Sequence, residues 1–187
     1  YGADAIRWYM LSNSAPWDNL KFDLDGVTET QRKFFGTLHN TYGFYALYAN
    51  IDDFRNDHAE IPVKQRTELD QWILSKLNSL SKLVEEAMDD YEPTKATRAI
   101  QSFVINDLSN WYVRLNRRRF WKGELTTDKI AAYQTLNSCL INVAKLMCSF
   151  SPFYADRLYR DLTFTDESIH LQDFPRADNK LINSELE

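Results

Sequence analysis

Residues 68–91 read ELDQWILSKLNSLSKLVEEAMDDY. Leu69, Ile73, Leu77, Leu80, Leu83, Val84 and Ala87 recur at spacings of four, three and one, the pattern of one apolar face on an α-helix. Charged and polar residues fill the other positions, so the stretch has one side to bury and one side to wet. A helix of this kind is stable only when its apolar face meets other helices. The rest of the chain supplies them.

On the N-terminal side, a short helix is expected over Ala3–Leu11, ended by Ser-Asn-Ser-Ala-Pro-Trp at 12–17. Asp25 is placed to cap a long helix reaching about Asn50, with Val27, Phe34, Leu38, Tyr45 and Ala49 on its apolar and aromatic face. The polar segment from Asp52 to Arg66 contains Pro62 and reads as a connector. On the C-terminal side, Pro93 stands where proline favours a helix start, and Ala96, Ile100, Val104, Leu108 and Leu115 carry a fourth helix towards a stop at Gly123. A fifth helix spans about Asp128–Phe150, with Ile130, Tyr133, Leu136, Leu140, Val143 and Leu146–Met147 inward. Ser151 then caps a last helix that starts at Pro152 and runs to about Leu162. Ser168–Phe174 reads as a short extended piece before a charged tail, and the chain after Arg176 is expected to fray.

Five glycines and five prolines in 187 residues suit long helices and few hairpins. Short connections between the long helices favour antiparallel neighbours, so the fold class is all-α, an antiparallel helix bundle. Hydrophobic residues make up 44% of the chain, enough for a substantial core. The opening Tyr1-Gly2-Ala3-Asp4 lacks an initiator Met and reads as the start of an excised piece of something larger. No apolar stretch approaches the length that spans a bilayer, and no signal peptide opens the chain. Cys139 and Cys148, nine residues apart, form neither a disulfide framework nor a zinc signature. His39, His58 and His170 are scattered. The composition fits a reduced, cytoplasmic protein without a metal.

Chemistry concentrates in one place. From Leu108 to Gly123 no acidic residue occurs, although the net charge is -5. Into this stretch the chain packs Arg114, Arg117, Arg118, Arg119 and Lys122 together with Trp111, Tyr112 and Trp121. Any anionic partner must therefore meet a local basic stripe on an acidic body. At about 100° per residue, Asp107, Asn110, Trp111, Arg114, Arg117, Arg118 and Trp121 share roughly a third of the helix circumference. Val104, Leu108, Tyr112 and Leu115 lie on a different, core-facing side. Arg119 projects with them, where a charge needs a partner, and is expected to pair with an acid on a neighbouring helix. Phe120 and Val113 form a second apolar stripe.

Guanidinium groups beside aromatic faces suit phosphate contact and base stacking, so the stripe points to RNA or another anionic partner. The plainer alternative is a solvated helix end, where arginines complement the macrodipole and tryptophans pack. Paired acids at 52–53, 85–86 and 89–90 read as solvated polarity. No catalytic constellation and no glycine-rich phosphate loop is found.

Several blocks carry a family resemblance. Tyr1-Gly2-Ala3-Asp4-Ala5-Ile6-Arg7-Trp8-Tyr9 resembles the segment that follows the catalytic domain of class I aminoacyl-tRNA synthetases. Asp70-Gln71-Trp72-Ile73-Leu74-Ser75-Lys76-Leu77 resembles a helix opening in their anticodon-binding bundle. The run from Asp107 through Arg114 to Arg117-Arg118-Arg119-Phe120-Trp121 is similar to the isoleucyl branch. Ala132-Tyr133-Gln134-Thr135-Leu136, Ser151-Pro152-Phe153 and His170-Leu171-Gln172-Asp173-Phe174-Pro175 fit the same pattern.

The resemblance, covering residues 1 to about 176, implies a bundle of the class I anticodon-binding type. Its parent enzyme uses ATP and Mg²⁺ to join isoleucine to its tRNA. The two nucleotide-binding signatures of the class are absent from this stretch, so the piece is expected to be inactive alone and to bind no cofactor. It implies a junction at 1–24, the bundle at 25–165 and a C-terminal extension at 166–187. The implied partners are the anticodon stem-loop of isoleucine tRNA and the catalytic domain of the same chain, in a monomer. Arg114, Arg117, Arg118 and Lys122 are expected to meet phosphates, Trp111 or Trp121 to stack on a base, and Asn110 to touch a base edge. Two alternatives stand beside this: the same module of a valyl-, leucyl- or methionyl-tRNA synthetase, and a helical module whose stripe binds an acidic protein surface.

Overall fold

A computed structural model describes residues 1–121 and 123–187. The described residues contain no strand. Six helices account for most of them: α1 (Ala3–Asn13), α2 (24–51), α3 (Glu68–Asp89), α4 (93–121), α5 (Thr127–Met147) and α6 (Pro152–Thr163). Single 3₁₀ turns sit at Val63–Gln65 and Ile169–Leu171.

Helix α5 is the axis of the bundle. Every residue from Ala131 to Asn137 is buried, and α2, α3, α4 and α6 all pack against this helix. Over this buried stretch the polar groups must be small or paired. Thr135 therefore donates back to the Ala131 carbonyl, and Gln134 reaches out to the connector, accepting from Ile61 N and donating to Ala59 O, both at 3.0 Å. The connector is pinned further by Phe54, stacked 4.6 Å from the Tyr133 ring. Beside it, the buried pair Lys129–Asp52 joins the start of α5 to the end of α2.

The face expected on α3 is the one buried: Ile73, Leu77, Leu80, Val84 and Ala87 are in the core, with Leu69 and Leu83 half-buried at its margins. Thr67 begins α3 with a full capping box, its hydroxyl accepting from Asp70 N while Asp70 accepts from Thr67 N. All five residues expected on the inner face of α2 are buried. Its cap differs from expectation: Asp23, not Asp25, accepts the first orphan amide.

Helix α1 is an integral strut. Trp8 is fully buried, stacked 4.1 Å from Phe34 and edge-on to Phe150, and its indole donates to Gln101 Oε1. Truncating so large a buried ring costs about 3–5 kcal/mol. Arg98 donates to the terminal carbonyls of α1 at Ser12 and Asn13. Ser151 occupies the N-cap of α6 without bonding it; the cap comes from across the fold, where Asp4 Oδ2 accepts from Tyr154 N at 2.7 Å. Gly26 lets α2 approach α1, since a Cβ there would lie 2.4 Å from the Tyr9 ring.

Two expectations for the C-terminal region change. Within 168–174 the residues Ile169–Leu171 form a 3₁₀ turn with Ile169 buried, because Asp156 accepts from both Ser168 Oγ and Ile169 N and curls the chain. The tail beyond Arg176 lies along α3: Asp178 N donates to Asn78, Asn183 N to Ser75 Oγ, and Glu187 accepts from Ser75 and Ser79. Ser75, fully buried, and Ser79, half-buried, supply the hold on α3.

Candidate nucleic-acid interface

Helix α4 begins with Pro93 at its first turn and winds as an α-helix to Ser102. From Phe103 to Val113 it adopts π-helical winding, then returns to α for Arg114–Trp121. A shorter π stretch, Gln31–Phe35, lies opposite on α2. Such wide turns are rare and tend to occur at functional sites. They reset which residues share a face. Val104, Leu108, Tyr112, Asn116 and Phe120 are all buried, one every fourth residue. In pure α winding each step of four would drift by about 40°. The wider turns take up this drift. Leu115, expected in the core, is consequently 56% exposed, and Asn116 takes the inward position.

Inward, the helix is fixed by a clamp around Asp70. This carboxylate is fully buried at the first turn of α3, and five donors converge on it, the Thr67 amide of the capping box among them. The Tyr112 hydroxyl donates at 2.5 Å and Thr67 Oγ1 at 2.8 Å. The Arg119 guanidinium donates in parallel to both carboxylate oxygens, each at 2.9 Å. Arg119 also reaches Asp128 on α5 and Asn116 Oδ1 on its own helix. The fork of Arg119 thus ties three helices, as its core-facing position required. Burial opposes its charge, yet Asp70, Tyr112 and Asp128 more than offset this and hold its pKa above the ordinary value. Burial pushes the Tyr112 phenol up, and the adjacent Asp70 charge adds to it.

Outward, Asn110, Trp111, Arg114, Arg117, Arg118 and Trp121 are all exposed, the two indoles at 55% and 56%. Arg114, Arg117 and Arg118 form no ion pair among the described residues. Their charge is therefore available to a partner. Lys122, the remaining expected phosphate contact, lies outside the described residues. Trp111 and Trp121 are ten residues apart, a rise of about 15 Å at most, so the face offers two aromatic surfaces with the guanidiniums between them. Asp107, one turn before Trp111, is half-buried and lies 3.8 Å from Lys76. Burial raises its pKa, with Lys76 opposing and Glu187 adding to the rise.

Trp111 also lines an open groove of about 620 Å³ with Glu68, Leu69 and Trp72 of α3 and Leu186 and Glu187 of the tail. That Trp72 and Trp111 line one groove escapes a single-helix reading, because it depends on how α3 and α4 cross. Among the described residues, no three His, Cys, Asp or Glu side chains stand together so as to hold a metal ion. No helix of the described residues is long and apolar enough to cross a membrane.

A family model described as the anticodon-binding domain of tRNA ligase matches residues 70–187. The chain is 62% identical over 192 residues to an isoleucine–tRNA ligase of Cytophaga hutchinsonii, covering all of this chain and 17% of that protein. It is 61% identical to the counterpart from Porphyromonas gingivalis and 45% identical to one from Bacillus thuringiensis, covering 16% and 18% of them. The chain thus spans about a sixth of the length of these curated relatives. Among solved structures it is similar in fold to the LeuRS chain of a LeuRS–tRNA–LeuAMS ternary complex from Agrobacterium radiobacter. There the TM-score is 0.67 at 16% identity, over 99% of this chain and 21% of that one.

Proposed function

The chain belongs to the family of anticodon-binding domains of tRNA ligases, and from this we propose that it is the anticodon stem-loop binding module of an isoleucine–tRNA ligase. The whole enzyme joins isoleucine to its tRNA using ATP and Mg²⁺, chemistry that belongs to parts of the protein outside this stretch. The observation that carries the reading is the outer face of α4. It bears three arginines that form no ion pair among the described residues and two exposed tryptophans, on a helix whose inner side is clamped to Asp70.

In this reading Arg114, Arg117, Arg118 and Lys122 neutralise phosphates of the loop. Trp111 and Trp121 offer stacking faces and Asn110 a base-edge contact. Loop bases are unstacked and present both a π-face and a Watson–Crick edge, which is what such side chains recognise. The clamp matters because it removes the rotational freedom of α4 before RNA arrives, so less ordering accompanies binding. Residues 1–24 act as the junction from the catalytic domain, 25–165 as the bundle and 166–187 as an extension towards the rest of the chain. The protein acts as a cytoplasmic monomer.

A salt titration of binding to isoleucine tRNA, beside a tRNA with a swapped anticodon, tests the proposal. Three or four phosphate contacts give a log–log slope of about -2 to -4, and each arginine-to-alanine change removes about 0.7–0.9 of it. Affinity that is salt-sensitive and weakens on the swap supports anticodon reading. Affinity unchanged by Arg114→Ala and Arg118→Ala refutes the assignment of this face.

A further inference from the structure

We propose that the groove between Trp72 and Trp111 is a slot for a single unstacked nucleobase bearing an exocyclic amine, and that Glu68 selects it. The proposal rests on the RNA-binding reading above and adds to it a wall from a different helix and a specificity residue.

The argument is one of shape and charge. The groove's volume, about 620 Å³, is of the size that takes a small planar ligand. Two indoles and Leu69 give it an apolar, π-rich lining, which suits the face of a base and leaves nothing for a sugar-phosphate to bond. Its polar groups are acidic. Glu187 is already engaged by Ser75 and Ser79, whereas Glu68 is exposed and forms no ion pair among the described residues. The Thr67 hydroxyl and the Asp70 carboxylate next to it are committed to the helix cap and to Arg119. Glu68 is left as a carboxylate that accepts and cannot donate.

Such a groove repels phosphate and attracts an amine hydrogen. Arg114, three residues beyond Trp111 and likewise exposed, has the opposite preference. A nucleotide with its phosphate on Arg114 and its base turned towards α3 satisfies both at once. Adenine, cytosine and guanine carry the required amine, and uracil does not.

The test is a thermodynamic cycle. An anticodon-type RNA stem-loop, together with a set in which each loop base in turn is replaced by an abasic site, is titrated with the chain and with Trp111→Ala. At one loop position, removing the base and removing the indole each cost about 5- to 100-fold in affinity, and together they cost no more than either alone. Trp111→Phe restores most of the loss. At that same position, replacing the amine-bearing base by its amine-free analogue weakens binding to the chain but not to Glu68→Ala, which has no side-chain acceptor. If the Trp111→Ala loss is the same for every abasic RNA, the slot does not exist. If Glu68→Ala leaves the amine preference intact, Glu68 is not its reader. Should Arg114→Ala still weaken binding in either case, the phosphate-contact reading stands without the slot; if it has no effect, both fall together.

Discussion

Arg118 and Arg119 are adjacent in sequence and identical in chemistry, and the structure separates them completely. Replacing Arg119 by alanine leaves Asp70 fully buried with only Tyr112 and Thr67 to satisfy it. Stranding a buried carboxylate in this way costs about 3–5 kcal/mol, and the donors that remain on Tyr112 and Thr67 favour the lower end, about 3 kcal/mol. The second partner contributes little, because the Asp128 side chain is 51% exposed and such pairs are worth about 0–1 kcal/mol. In urea, with an m-value of about 1–3 kcal/mol/M, the midpoint falls by about 1–3 M; on heating, Tm drops by about 6–12 °C. Arg118→Ala, on an exposed side chain that forms no ion pair among the described residues, stays within about 0.5 kcal/mol of the parent. Helical circular dichroism against urea, at fixed pH and with m compared between variants, reads both. RNA affinity should sort the two the other way, with the salt slope flattened by Arg118→Ala and preserved by Arg119→Ala where the variant is folded. Equal urea midpoints for the two variants, at equal m, would refute the clamp as the element that holds α4.

Three further outcomes follow from packing, capping and burial. Gly26→Ala places a Cβ 2.4 Å from a Tyr9 ring already held by Asn13, Lys21 and Asp23, and should destabilise by about 1–3 kcal/mol; Gly43→Ala, exposed in mid-helix with nothing within 4 Å, should stabilise by up to about 1 kcal/mol in the same urea assay. Asp4→Ala removes the cap on α6 and should cost about 0.5–2 kcal/mol in thermal melts, whereas Asp4→Asn keeps an acceptor and should cost less than half as much. Burial raises the pKa values of Tyr45, Tyr112, Tyr133 and Tyr154, with Asp70 and Asp52 adding to the rise at Tyr112 and Tyr133. The native state therefore holds these protons more tightly than the unfolded chain. Stability is fully present below about pH 10 and falls as pH rises above it, by up to about 1.4 kcal/mol per pH unit for each such group. Urea midpoints from pH 7 to 11 should be level and then fall steeply, with phenolate absorbance appearing together with loss of helix.

The helices were legible in the sequence because each carries a face at helical spacing, and the inner residues of α2 and α3 fall where their periodicity puts them. Arg119 was legible as a structural residue for the same reason: it shares the side occupied by Leu108 and Tyr112. The misassignment of Leu115 has a definite source. A wheel drawn at α spacing does not know that eleven residues wind more widely, and the error accumulates along the helix until Asn116 and Leu115 exchange places. The caps of α2 and α6 were misread because capping is a competition among nearby oxygens. Asp23 wins over Asp25 locally, and Asp4 wins over Ser151 from about 150 positions away in the chain, which no local pattern encodes. The outer residues of the stripe, from Asn110 to Trp121, are exposed where expected, while Trp72 emerged only once α3 and α4 were laid against each other. The hold of Ser75 and Asn78 on the tail was hidden because serines and asparagines on a helix surface read as wet.

The wide winding of residues 103–113 makes direction a matter of counting. Eleven residues wound this way fit more residues into each turn than α winding does, so the number of residues no longer fixes the number of turns as in an α-helix. Deleting one residue within it need not break the helix. The turns would tighten to α geometry, the residues before Phe103 would keep their places, and everything after Val113 would swing by about 100°. Arg119 would then leave its carboxylates and a different set of side chains would face outward. The aim of the positive face is thus written partly in how many residues the segment has, and a gap or insertion between Phe103 and Val113 would redirect it without altering a single arginine.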